Sequence, residues 1–134
     1  MRFHFCLFNH PDSHDTLGDM RVWLAAGLHG LGHTVTESLD QLDTSAINVF
    51  WERFSPGIGG ELRRLGVKYG IVATEVPVGE TFNGRTDGEW GPRWAGFIEA
   101  AEGASFIWTM LESAIPNYAR LAPTAFVELG YVDD

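Results

Sequence analysis

Two histidines and two aspartates crowd into the seven residues from Asn9 to Asp15, which read Asn-His-Pro-Asp-Ser-His-Asp. Imidazole titrates near neutrality, so His10 or His14 in such a loop can take a proton from a hydroxyl group. Asn9 and Asp12 add groups that hold a polar substrate. A second reading stays open beside this one: a solvated connection in which Asp15 or Thr16 caps the next helix. Thr16 and Asp19 have capping-box spacing, with Asp in place of the usual Glu. Imidazole and carboxylate also ligate divalent cations, but H-x-D-x-H-D is not an established ligand spacing, and no metal is expected.

Further polar residues stand where apolar runs end. Glu52 and Arg53 follow the run Ala46 to Trp51, placed either to hydrogen-bond a ligand's hydroxyls or to pair with neighbours at the surface. Thr74 and Glu75 end the run from Val67. The stretch Glu75 to Gly88 holds Pro77, Gly79, Gly84 and Gly88 and reads as one long loop with no apolar period. Within it Asn83 and Arg85 offer hydrogen-bonding groups, and Arg85 can hold a carboxylate or phosphate with two parallel bonds. Phe54 to Leu62 (FSPGIGGEL) sets three glycines between a strand and a helix. It fits neither G-x-G-x-x-G nor a P-loop, so a tight turn is preferred over a phosphate cradle. Ser55 is the expected cap of that helix, with Pro56 at its first position. Trp90 and Trp94, at helical spacing, read as core before they read as a stacking platform.

These residues need a scaffold, and the hydrophobic pattern supplies one. Arg2 to Phe8 is a nearly unbroken apolar strand. Thr16 to Leu31 is a helix with Leu17, Met20, Leu24, Leu28 and Leu31 along one stripe. Strands follow at His33–Thr36, Ala46–Trp51, Val67–Thr74, Ser105–Met110 and Thr124–Leu129. Helices are expected from Pro56 to Leu65 and from Glu89 to Ala101. A less regular one covers Glu112 to Leu121, where Pro116 forces a late start near Ala114 or a break. Alternating strands and helices predict an α/β fold: a Rossmann-like open, mostly parallel sheet of about six strands with helices on both faces. Ligands bind outside the carboxyl ends of such strands, where the polar clusters fall. A receiver domain shares the pattern but needs a lysine after the fifth strand. The chain's one lysine, Lys68, lies in the fourth.

The 134 residues suit a single domain spanning 1–134. A net charge of −9 argues against a nucleic-acid groove or docking on an anionic membrane. No apolar run spans a bilayer, and no cationic leader opens the chain. The lone Cys6 reads as a small core residue, and a cytoplasmic location is expected.

The segments Met20–Thr36 (MRVWLAAGLHGLGHTVT), Gly70–Arg85, Arg93–Met110 and Ala122–Tyr131 resemble the amino-terminal, acceptor-side domain of bacterial GT-B type glycosyltransferases. That resemblance implies two facing Rossmann-like domains, of which this chain is the amino-terminal half. The donor-binding domain, or a second subunit, is then the missing partner. It implies transfer of sugar from a nucleotide-sugar co-substrate to a hydroxyl, with no other cofactor. His14 or His10 is carried over by position as the base, with Glu52, Glu75 and Arg85 orienting the acceptor. The alternative is a non-catalytic interaction or oligomerisation module of the same fold, its aromatic residues and carboxyl edge forming a homo-oligomer.

Overall fold

The computed structural model describes residues 1–7 and 18–128. Six parallel strands form the main sheet: β1 (Arg2–Cys6), β2 (Thr34–Ser38), β3 (Ile47–Trp51), β4 (Tyr69–Ala73), β7 (Ile107–Thr109) and β8 (Thr124–Phe126). Their spatial order is β2-β1-β3-β4-β7-β8. β1 pairs with β2 on one side and β3 on the other, so the winding reverses there, as in a doubly wound Rossmann-like sheet. The central strands are buried on both faces, which explains their continuous apolar runs.

The two faces are covered unequally. Phe3, Phe5, Leu7, Val49, Trp51 and Val72 point toward α1 (Gly18–Gly30), which brings Leu24 and Leu28. Cys6, Phe50, Tyr69, Ile71 and Ile107 face α2 (Ile58–Leu65), α3 (Arg93–Ala101) and the short α4 (Ile115–Tyr118). Phe97 and Tyr118 are fully buried on that side, each contributing about 1.5–3 kcal/mol of apolar burial. α2 and α3 touch backbone to backbone at Gly59, where a Cβ would stand 2.6 Å from the Ala100 nitrogen.

Several expectations are corrected. Glu75 to Gly88 is not one irregular loop. It contains an antiparallel hairpin, β5 (Pro77–Val78) and β6 (Thr81–Phe82), anchored by the fully buried Phe82 against Trp94 and Phe97. One apolar side chain in a two-residue strand is too short a period to read in the sequence. The helix expected from Glu89 is a 3-10 turn at Gly88–Trp90 followed by α3, with Pro92 as its N-cap residue. Leu31 lies off the buried stripe of α1, 75% exposed, because the helix ends at Gly30. Pro116 falls in the first turn of α4, which follows a 3-10 turn at Glu112–Ala114, so the late start is the form adopted. No helix among the described residues is long and apolar enough to cross a membrane.

Candidate functional site

β3 and β4 are paired so that Trp51 lies beside Val72. Glu52 directly follows Trp51, and Thr74 comes just after β4 ends at Ala73, so the two meet at the carboxyl edge of the sheet. Glu52 is only 2% exposed. Its Oε1 accepts two bonds, from the Thr74 amide at 3.1 Å and from the Thr74 hydroxyl. Its Oε2 has no hydrogen-bond partner among the described residues. Burial pushes the Glu52 pKa up; the bonds from Thr74 oppose the shift, and nearby Glu75 adds to it.

Glu75 is held from the hairpin. Asn83 donates from Nδ2 to the Glu75 carboxylate at 2.6 Å, while its Oδ1 accepts from the Val76 amide at 3.1 Å. Asn83 adopts φ 57°, a left-handed conformation that asparagine tolerates better than most residues. The Tyr118 hydroxyl donates to the Glu75 carbonyl at 3.4 Å. Burial, then Glu52 and Glu75, push the Tyr118 pKa up, so the phenol stays protonated.

Arg93 completes the cluster. It is 7% exposed, and its guanidinium lies 4.1 Å from the Trp90 ring centre and 5.7 Å from that of Phe82. Its Nε is shut off from solvent without a hydrogen-bond partner among the described residues. Burial lowers its pKa, and Glu52 and then Glu75 are the strongest charges opposing that shift. Arg85 approaches Trp90 at 5.0 Å and pairs with Asp87 at 2.9 Å. Arg53 pairs with Glu89 at 2.8 Å.

The carboxyl edge thus brings together Glu52, Thr74, Glu75 and Asn83 by direct bonds or common neighbours. Arg53 and Arg85 join through Glu89 and Trp90. Of the paired or ligand-binding roles open to Arg53, the structure displays the pair. His10, His14, Asn9 and Asp12 lie outside the described residues, as do Asp15 and Thr16. Sequence reasoning missed Arg93, Glu89 and Tyr118. A signal for Arg93 exists: a cation directly after Pro92, in the first turn of a helix, opposes the helix dipole and needs another reason to be there. Trp90, read as core, is half-buried beneath two guanidinium groups, whereas Trp94 is buried core.

The glycine turn behaves differently. Gly57, in a left-handed conformation, is the N-cap of α2, and no side chain of its own segment caps the helix. Ser55 therefore does not fill the expected role. Instead the Glu99 carboxylate of α3 accepts from the Gly57 amide at 2.9 Å and the Gly60 amide at 2.8 Å. These two bonds lower the Glu99 pKa. The anion-binding end of the helix is thus occupied from within, so the preferred tight-turn reading stands and the phosphate cradle does not.

Among the described residues no three His, Cys, Asp or Glu side chains converge in a way that could hold a metal. The charged cluster offers instead hydrogen bonding and charge orientation. Compared with family models, curated proteins and solved structures, the chain matches none.

Proposed function

We propose that this domain is the acceptor-side half of a two-domain, GT-B type glycosyltransferase that moves sugar from a nucleotide-sugar donor to a hydroxyl. One observation carries the reading. A buried carboxylate and a buried guanidinium, Glu52 and Arg93, neither fully hydrogen-bonded, lie at the carboxyl edge beside the reversal of the sheet's winding. Such sheets bind ligands there, and buried polar groups left unpaired are rare elsewhere.

In the proposed reaction the acceptor oxygen forms a bond to the anomeric carbon as the bond to the nucleotide breaks. The electron pair leaves with the nucleotide phosphate, and the acceptor's proton passes to His14 or His10, kept as base on sequence grounds. Glu75, braced by Asn83, and Arg85 orient the acceptor. Glu52 adds negative charge near Arg93, whose guanidinium lies against the Trp90 and Phe82 rings. A partner domain holds the donor, and the free, buried Cys6 fits a reducing cytoplasm.

The test is sugar transfer by the complete gene product that carries this sequence, assayed with a panel of nucleotide sugars. Glu52→Gln is expected to lower kcat/KM by about 10–100-fold with the fold retained by circular dichroism, the loss expected of a charged hydrogen-bonding group. His10→Ala and His14→Ala, made separately, should identify the base. Absence of nucleotide-sugar turnover, or full activity in all three variants, overturns the proposal.

A second reading draws on the thinly covered face. Trp23, Leu24, Leu28, Leu31, Trp108 and Val127 line an apolar groove of about 190 Å³. An interaction module would use it as a contact with another protein or copy. An obligate dimer by sedimentation, dispersed by Leu31→Glu, would favour that reading.

A further inference from the structure

We infer that Arg93 is a ligand-holding residue, and that the ligand group it holds is an uncharged hydroxyl. The inference deepens the transferase reading and rests on it only for taking the hydroxyl to be a sugar's.

Arg93 carries five N–H donors and stays charged under all ordinary conditions. In this structure it forms neither hydrogen bond nor ion pair with any described side chain; ring faces hold it instead. Stacking on Trp90 and Phe82 fixes the plane of the guanidinium but accepts none of its hydrogens in line. A buried cation with a donor that no described residue accepts, here Nε, is costly. Nε is closed off from solvent, so the Nη edge is the part within a ligand's reach. The two rings thus fix the guanidinium plane, as an orienting contact requires.

The surrounding charges decide what fits. Arg53 and Arg85 are already balanced by Glu89 and Asp87. Glu52 and then Glu75 are the strongest negative charges acting on Arg93. With both glutamates ionised the set carries one excess negative charge, and with Glu52 protonated it is even. In neither state does it offer net attraction to a phosphate or carboxylate, which would enter a low-dielectric site already balanced. A hydroxyl oxygen accepts from Nη without adding charge, and its own hydrogen is free to turn toward the carboxylates.

The experiment is an NMR titration of the whole chain, following the Arg93 Nε–H resonance, assigned by its loss in Arg93→Lys. The probes are methyl β-glucopyranoside, methyl β-glucuronoside and glucose 6-phosphate. The neutral glycoside should shift the resonance saturably and bind about tenfold or more tightly than either anion. Arg93→Lys keeps the charge but loses the planar fork. It should weaken neutral-glycoside binding, read from shifts of the tryptophan indole N–H signals, about tenfold or more with circular dichroism unchanged. Tighter binding of an anion, a resonance that no probe moves, or wild-type affinity in Arg93→Lys overturns the inference. Glycoside binding without sugar transfer by the complete gene product removes the transferase reading and leaves the role of Arg93 standing. Transfer that survives Arg93→Lys at full rate does the reverse.

Discussion

Glu99 and Glu52 each receive two hydrogen bonds, yet the bonds are distributed in opposite ways. Glu99 is held at the entry of α2, each of its oxygens taking one backbone N–H. Glu52 receives both of its bonds on one oxygen and leaves the other bare inside the protein. The first carboxylate is stabilised as an anion and its pKa falls. The second is penalised as an anion and its pKa rises. One closes a helix end and leaves nothing for a ligand. The other stores an unmet demand beside a buried arginine. The proposed function therefore rests on the group whose surroundings leave an oxygen unpartnered among the described residues.

The comparison breaks most severely if α3 is moved. Gly59→Ala puts a Cβ 2.6 Å from the Ala100 nitrogen, forcing α2 and α3 apart and dragging Glu99 from its amides. A loss of about 2–3 kcal/mol in urea unfolding is expected, despite alanine's better helix propensity. Next comes Glu52→Ala, which strands the amide and hydroxyl of Thr74 without their acceptor and should cost about 1–2 kcal/mol by the same measurement.

A gentler test uses pH. Because the folded pKa of Glu52 is raised, its contribution is neutral below the ordinary glutamate value and becomes destabilising as pH climbs above it. Glu99 has the reverse sign: its stabilisation is present above the ordinary value and is lost as pH falls through its lowered folded pKa. Glu52→Gln should therefore flatten the decline of stability toward neutral pH, and Glu99→Gln should remove part of the loss on acidification. Urea midpoints from pH 3 to 8 check both signs, and equal slopes in the two variants would erase the contrast. The smallest expected effect is that of Ser55→Ala. With Glu99 closing the helix, the change should stay within about 0.5 kcal/mol.

The sheet was legible because its strands are buried on both sides: runs such as Phe3–Leu7 and Val49–Trp51 need no partner to be recognised. The carboxyl-edge positions of Glu52, Thr74 and Glu75 were legible for the same reason, since they stand where apolar runs stop. Glu99 and Arg93 were not. Glu99 binds amides about 40 positions away, and Arg93 meets Phe82 of the hairpin and the charge of Glu52, through packing that no local pattern encodes. The hairpin escaped because a single anchor, Phe82, holds it, and one buried ring has no periodicity. The Ser55 cap failed for a related reason: a better acceptor arrived from another helix.

Cys6 lies at the reversal of the sheet, fully buried, its thiol donating to Asn48 Oδ1 at 3.3 Å. Burial, with Asp43 adding to it, pushes that thiol up to about 12. At neutral pH it is almost wholly un-ionised and out of reach of any alkylating reagent. The chain's only sulfhydryl thereby becomes a clock for the middle of the molecule. Buried in the core, it reacts only when that core opens, so its labelling rate counts those openings.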